Sequence, residues 1–341
     1  MARLRFRDQE YETAGRSVLD CLGENGHDIP HSCRSGVCHG CLMRAVRGAV
    51  PTRAQDGLRD TLVAQGFFLA CQCHPEQALE AALEGAGAQQ FAARVLARRL
   101  LGPGIMCLEI SRPANYEYRA GQYLRLFRDA SAWRNYSLAS VPGLDDSLHL
   151  HVRLVPGGAV SGWVHERLVA GQEITISGAQ GECFHFPGAP DKDLLLVGTG
   201  TGAAPLWAIA RDALHSGHRG RVHLYHGSRE EAGQYLRKDL AALQARWPNF
   251  HYHPSVAPGG GHADVAQIAL REIGDLAHWR VYLCGSPRMV DSARLECFLA
   301  GAASAEIFAD AFLPYNAAGA DPGLPVPVAP AIAGACDGHA E

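Results

Sequence analysis

Residues 33–41 read Cys-Arg-Ser-Gly-Val-Cys-His-Gly-Cys, and no other stretch limits the fold so tightly. Three thiolates at C-x4-C-x2-C must converge from a single tight loop. A fourth sulfur is available thirty residues on, from Cys71 or its close competitor Cys73. This is the ligand spacing of a [2Fe–2S] cluster. The loop needs small residues and sharp turns, and Gly36 and Gly40 are placed to supply left-handed or closely approaching backbone. A four-cysteine zinc site pairs two short knuckles, and Cys71-Gln72-Cys73 is a poor second knuckle. A disulfide framework fits badly with eleven cysteines, an odd number, and with an N-terminus that lacks a secretory pattern. His39 follows the second cysteine, where a small residue is usual. Its imidazole could tune a cluster through hydrogen bonding, but nothing in the sequence supplies a partner, and the simpler expectation is that it points to solvent.

At 341 residues the chain is expected to make two or three domains. Its 47% apolar content allows sizeable cores. No run of eighteen apolar residues predicts a membrane span. A net charge of −4 gives no reason to expect nucleic acid. Unpaired cysteines without an export signal fit a reducing cytoplasm.

Residues 1–84 read as one small domain. Arg3, Leu4, Arg5 and Phe6 alternate as a strand, with 11–14 as a return partner. Ser17 is a candidate N-cap for an apolar helix face of Val18, Leu19 and Leu22, ending near residues 23–26. Cys21 is expected in that helix as a small buried hydrophobe. Residues 42–46 read as a strand after the cysteine loop, and 67–73 close the domain. Residues 76–90 look like a short linker of small and polar residues, and the division between domains is placed at 85–90.

Between 91 and 190 the pattern changes to short strands separated by Gly, Pro and Asp: 92–96, 106–110, 123–127, 147–154 and 173–176. Such spacing predicts an antiparallel barrel. The period changes again at 193. Residues 194–197 are an unalternating apolar run, the mark of a buried parallel strand. It runs into Gly198-Thr199-Gly200-Thr201-Gly202-Ala203-Ala204-Pro205 and then a helical stretch at 206–215. Strand, glycine turn and helix make a phosphate cradle, because glycine lets backbone N–H groups approach a pyrophosphate. Strands at 222–225, 252–256 and 281–284 alternate with helices at 236–246, 265–273 and 289–299, which predicts a doubly wound parallel sheet over 191–313. The Pro-, Ala- and Gly-rich residues 314–341 read as a disordered tail.

Several motifs carry a resemblance. Arg134-Asn135-Tyr136-Ser137-Leu138 and the upstream 120–123 resemble the flavin motif of the ferredoxin–NADP reductase superfamily. His151-Val152-Arg153 and the segment Gly157-Gly158-Ala159-Val160-Ser161 resemble its second flavin segment. Residues 198–205 are similar to its nicotinamide loop, and Cys284-Gly285-Ser286-Pro287 to its C-G-x-P. Leu69-Ala70-Cys71-Gln72 is similar to the fourth-ligand segment of plant-type ferredoxins, which favours Cys71 over Cys73.

The resemblance implies a role for each residue. Cys33, Cys38, Cys41 and Cys71 would hold the cluster. Arg134 would meet the flavin phosphates with its planar fork, Tyr136 would pack on the flavin and Ser137 would approach N5. Leu138, His151, Gly158 and Ser161 would complete the flavin site. Gly198, Gly200, Thr201, Gly202 and Pro205 would cradle a nicotinamide nucleotide, with Cys284 and Gly285 by its ring. Phe312, in the C-terminal segment 306–312, would lie near the flavin. Ser228 and Arg229 suit a ribose 2′-phosphate, while Glu230 and Glu231 suit a free hydroxyl, so NADH and NADPH both stay open, NADH being slightly preferred. FAD is favoured over FMN by analogy with multidomain relatives.

The implied architecture is a β-grasp ferredoxin-like domain, an antiparallel flavin barrel and a doubly wound nicotinamide domain. The implied activity is that of an oxygenase reductase. A hydride carries two electrons and a cluster accepts one, so a flavin must stand between them. The external acceptor would be an oxygenase component. Alternatives are a cytochrome P450, a deoxysugar dehydratase or a soluble ferredoxin, or, in a different class, a redox sensor that turns nothing over. Cys38→Ser is expected to abolish the iron–sulfur absorbance and leave NAD(P)H–ferricyanide activity intact. Loss of both with the fold preserved would contradict the domain division.

Overall fold

A computed structural model describes residues 2–83, 89–257 and 265–312. Most of the expected 85–90 linker and the whole of 314–341 lie outside the described residues. Three sheets follow one another along the chain.

The first sheet has the order β2-β1-β5-β3-β4. Strands β1 (Arg3–Phe6) and β2 (Gln9–Glu12) form a hairpin with Phe6 opposite Gln9. The partner strand therefore starts two residues earlier than expected. The reason is the turn: Arg7 and Asp8 both take positive φ, 48° and 64°, which is the two-residue type I′ geometry that matches strand twist. Helix α1 (Val18–Glu24) is capped by Ser17, whose Oγ accepts from the Asp20 N–H, and Cys21 is fully buried in it. Strand β3 (Leu42–Arg47) leaves the cysteine loop, and helix α2 (Asp60–Ala64) leads into β4 (Phe67–Leu69). The expected linker at 76–90 needs correction. Residues Leu79–Leu83 form β5, which pairs parallel to β1 and antiparallel to β3. Leu79 and Ala81 sit in the core, so the segment is held by pairing and burial rather than by intrinsic preference.

The second sheet has six antiparallel strands in the order β10-β7-β6-β11-β8-β9. These are β6 (Gln90–Gly102), β7 (Ile105–Ser111), β8 (Tyr123–Phe127), β9 (Trp133–Ser137), β10 (Ser147–Arg153) and β11 (Glu173–Ser177). A bridge between Leu138 and Leu150 brings the two edge strands together and closes a barrel. Helix α3 (Ala159–Glu166), read from sequence as a Gly-rich loop, turns Val160 and Val164 into the barrel core.

The third sheet is parallel, in the order β14-β13-β12-β15-β16. Its strands are β12 (Asp193–Thr199), β13 (Val222–Ser228), β14 (Phe250–Val256), β15 (Trp279–Gly285) and β16 (Ile307–Ala311). Helices α4 (Ala203–His215) and α5 (Arg237–Arg246) cover one face, over Leu194 and Leu196. Helices α6 (Val265–Ile273) and α7 (Pro287–Leu299) cover the other, over Leu195 and Val197. Burial on both faces is why β12 shows no alternation. The strand order reverses between β12 and β15, and that crevice is where such sheets bind ligands.

Barrel and parallel sheet are joined by a largely buried ion pair. Arg211 on α4 donates two hydrogen bonds to Asp145, at 2.8 and 2.9 Å. Burial alone would raise the Asp145 pKa, but the Arg211 fork, the Val141 N–H and the Arg211 charge together hold it below the ordinary carboxylate range. A carboxylate depressed in the folded state contributes stability above its unfolded pKa and loses it as pH falls through the folded value. Asp145→Ala is expected to cost about 3 kcal/mol, the cost of leaving a buried partner charge, and to flatten the acid limb of stability. Denaturant unfolding at pH 7 and below pH 4 checks this, and an unchanged acid limb would contradict it.

Candidate functional site

The cysteine loop is shaped by backbone N–H groups turned toward sulfur. Cys33 Sγ accepts from the N–H of Ser35 and of Cys38, at 3.4 and 3.3 Å. Cys38 Sγ accepts from the N–H of Cys33 and of Gly40, both at 3.4 Å. These donors stabilise thiolate. The Ser35 side chain and the Cys38 and Ser35 amides bring the exposed Cys33 thiol down to about 5. The turn uses positive φ at Arg34, Gly36 and His39, of 55°, 83° and 57°. Gly40 is not among the left-handed positions, so its expected conformational role falls to His39. Gly40 instead faces the Cys38 sulfur, at 3.5 Å from where a Cβ would stand.

Cys71, at the end of β4, lies against Cys41, while Cys73 is fully buried in the core with its thiol pushed up to about 12 by burial. Burial also raises Cys41, to about 11. Among the described residues no three His, Cys, Asp or Glu side chains gather about one point as a single metal ion requires. Four cysteines, two of them with backbone N–H donors on their sulfurs, fit a cluster that spreads its ligands over two irons. The His39 side chain is exposed, yet it also lines a cavity of about 580 Å³ together with Arg59, Glu182 and Arg294.

The flavin candidates sit on the edge strand β9 and around the barrel mouth. Ser137 is buried, and its Oγ donates to Asp310 Oδ2 at 3.0 Å. Arg134 donates to the Trp133 carbonyl at 2.6 Å. Tyr136 is half-buried and packs on the barrel core, and Leu138 lies fully within it. His151 is buried, which pushes its pKa to about 3, so the neutral ring pairs with the Tyr235 hydroxyl at 3.0 Å. Gly158 opens α3 without a side-chain cap, leaving N–H groups for an anion. Ser161 Oγ accepts from the Val155 N–H and thereby tightens that turn.

The nicotinamide candidates line the crevice between β12 and β15. A Cβ on Gly202 would stand 2.2 Å from the Cys284 carbonyl oxygen, and one on Gly285, at φ 123°, would stand 2.6 Å from Thr199 Oγ1. Both positions therefore need glycine for the loop to lie on the end of β15. Gly198 is hemmed by Leu206, and Gly200 takes φ 55° against the Arg153 guanidinium. Thr201 continues that turn, and Pro205 sits in the first turn of α4. His226, fully buried and pushed to about 4 by burial, donates from Nε2 to the Gly200 carbonyl at 3.0 Å. Ser228 Oγ donates to the Glu230 carbonyl and accepts from Gln234, while Arg229 is exposed at the strand end. The Phe312 N–H donates to the Gly285 carbonyl.

Ser137, Asp310 and Cys284 thus meet where the barrel edge touches the C-terminal ends of β15 and β16. Asp310 pairs in register with Cys284, and burial raises its pKa. Cys284 is fully buried, with its thiol raised by burial, and Cys183 Sγ is 3.6 Å away. Sequence reasoning missed Asp310, Cys183, Tyr235 and His226. Asp310 and His226 lie in segments already singled out, two residues before Phe312 and two before Ser228, while Cys183 and Tyr235 left no signal.

Comparison with known proteins matches three family models in order. They are a 2Fe-2S iron-sulfur cluster binding domain at 5–76, an oxidoreductase FAD-binding domain at 103–185 and an oxidoreductase NAD-binding domain at 196–295. The ferredoxin–NAD(P)(+) reductase component of naphthalene 1,2-dioxygenase/salicylate 5-hydroxylase systems from Ralstonia is 33% identical over 311 residues, covering 88% of this chain and 94% of that one. A CDP-6-deoxy-L-threo-D-glycero-4-hexulose-3-dehydrase reductase from Yersinia pestis is 29% identical over 87% of this chain and 93% of its own. The Amycolatopsis cytochrome P450 reductase GcoB superposes with a TM-score of 0.64 at 27% identity, covering 92% of this chain and 99% of that one.

Gly202→Ala is expected to raise the KM for the nicotinamide nucleotide about tenfold, the effect of roughly 1.4 kcal/mol of overpacking strain. Flavin and cluster content should stay at the wild-type level. An unchanged KM would contradict the close approach assigned to this loop.

Proposed function

The chain belongs to the reductases of the ferredoxin–NADP reductase superfamily that carry a fused N-terminal [2Fe–2S] domain, and on that premise we propose that it supplies electrons from NADH to a bacterial oxygenase component. It is an NAD(P)H-dependent oxidoreductase built to take a [2Fe–2S] cluster, FAD and a nicotinamide nucleotide. The proposed division is 1–84 for the cluster, 91–190 for the flavin and 191–313 for the nucleotide. The observation that carries the choice of acceptor is similarity to the Ralstonia dioxygenase reductase along nearly the full length of both chains. The dehydrase reductase and the P450 reductase favour the second reading, the same electron chain with a different acceptor.

The chemistry supplied by the bound cofactors is the splitting of a hydride's electron pair into single electrons. The chain's own residues position that chemistry. In this reading Cys33, Cys38, Cys41 and Cys71 hold the cluster, and amides at 33, 35, 38 and 40 stabilise the thiolates. Arg134 and the N-terminus of α3 bind flavin phosphates. Ser137, held by Asp310, presents its hydroxyl to the flavin edge. The 198–205 loop binds the nucleotide pyrophosphate, and neutral Cys284 walls the nicotinamide pocket without adding a competing charge.

NADH is preferred because Ser228 already spends its hydroxyl within the protein and Glu230 and Glu231 directly follow Arg229. Among the described residues no helix is long and apolar enough to cross a membrane. We place the protein in the cytoplasm, where its many free thiols stay reduced. The test adds purified candidate acceptors to protein and NADH. An aromatic-ring oxygenase component with its substrate should raise NADH consumption at least about tenfold and give hydroxylated product. Stimulation by a P450 or a dehydratase but not by any oxygenase would overturn the first reading in favour of the second.

A further inference from the structure

Among the described residues, the cluster domain makes its polar contacts with the other two sheets through one short element, from Arg59, Asp60 and Gln65, at and within the ends of α2. Arg59 donates to the Ser304 carbonyl at 3.2 Å and pairs with Glu182 at 3.6 Å. Gln122 donates to Gln65 at 3.0 Å. Asp60 accepts from Arg280 Nη2 at 2.6 Å. The helix therefore sits in a seam and touches both the flavin barrel and the nicotinamide sheet.

Arg280 is the unusual member. It lies on β15 with a side chain only 5% exposed, between Asp60 and Glu306, whose carboxylate takes Arg280 Nε at 2.6 Å and Lys192 at 2.5 Å. The Arg59 and Arg280 guanidinium groups both approach the Phe308 ring, 5.3 and 5.4 Å from its centre. Apolar residues in such a place would stabilise the seam as well or better. A planar fork with two fixed carboxylate partners instead defines one orientation.

Both ends of this element lead to redox centres. Gln65, at the end of α2, is six positions from Cys71, and Gln55 clamps the intervening strand through the Phe67 carbonyl at 2.8 Å. In the other direction Arg280, Tyr282 and Cys284 alternate onto one face of β15. Tyr282 stacks on Phe308 with ring centres 5.3 Å apart, and Cys284 pairs with Asp310. One face of two strands thus runs from the α2 contact to the Ser137–Asp310–Cys284 cluster.

We propose that Asp60 and Arg280 are positioning residues for electron transfer, an ionic latch that sets the cluster at a defined place relative to the flavin. The proposal rests on the reading of the chain as a flavin-to-cluster reductase. Electron transfer falls steeply with distance and hydride transfer to the flavin does not involve α2, so the latch acts on one step only.

The test compares wild-type, Asp60→Ala and Asp60→Glu holoproteins after anaerobic mixing with NADH. Flavin bleaching and cluster reduction are followed separately by absorbance and freeze-quench EPR. Asp60→Ala should bleach at the wild-type rate and reduce its cluster at least about tenfold more slowly, because the buried Arg280 loses one of its two carboxylate partners. Asp60→Glu should recover most of that rate. Hydrogen exchange should accelerate at the amides of 60–66 in Asp60→Ala and stay unchanged in β3, at equal iron content. Asp60→Asn, which keeps the shape of the side chain and removes its charge, carries the same expectation should Asp60→Ala lose its cluster. Cluster reduction at the wild-type rate in the alanine or asparagine variant, or slowing that glutamate does not relieve, would overturn the latch. A wild-type protein whose flavin NADH does not bleach would overturn the functional reading, and the latch with it.

Discussion

The hydrogen bond from Ser137 to Asp310 ties the edge of an antiparallel barrel to the edge of a parallel sheet, across 173 positions of sequence. Cys284 lies beside Asp310 because β15 and β16 pair in parallel register. The glycine loop after β12 comes down onto Cys284 because Gly202 has no side chain to hold it off. A hydride donor and a flavin need to meet face to face with water kept out, and in the proposed reading both halves of such a site would share this wall. The buried Arg211–Asp145 pair holds the same two bodies together at a second point.

The cluster loop works on a different principle. Its geometry is local, set by left-handed turns at Arg34, Gly36 and His39 and by amides aimed at two sulfurs. A loop organised in this way needs little from the rest of the protein except the delivery of Cys71. That delivery comes from β4, which follows the helix lodged in the seam between the other two sheets. Local ligation and long-range docking are therefore coupled through six residues.

Much of this was legible in the sequence where one residue type is demanded by chemistry. Thiolate ligands cannot be exchanged for other side chains, so the cysteine spacing announced itself. The doubly buried β12 and its glycine turn were visible for a similar reason, since only apolar residues and glycine satisfy those positions. Strand β5 was hidden because Leu-Glu-Ala-Ala-Leu favours helix and is made extended only by two neighbours it pairs with. Helix α3 was hidden by its glycines and valines, and packing of Val160 and Val164 decides it. Asp310, His226 and Tyr235 act through partners far away in sequence, and a single carboxylate, imidazole or phenol carries no local signature of such pairing. His39 was expected to face solvent. It does so while also taking a left-handed turn and lining a cavity between domains.

One chain that accepts a hydride at a flavin and delivers single electrons to a [2Fe–2S] cluster must show both events in one sample. The most direct measurement is an anaerobic titration of the purified protein with NADH, followed by absorbance and EPR. Flavin bleaching is expected together with the EPR signal of a reduced [2Fe–2S] cluster. Bleaching without any cluster signal, in protein that carries its full iron content, would contradict it.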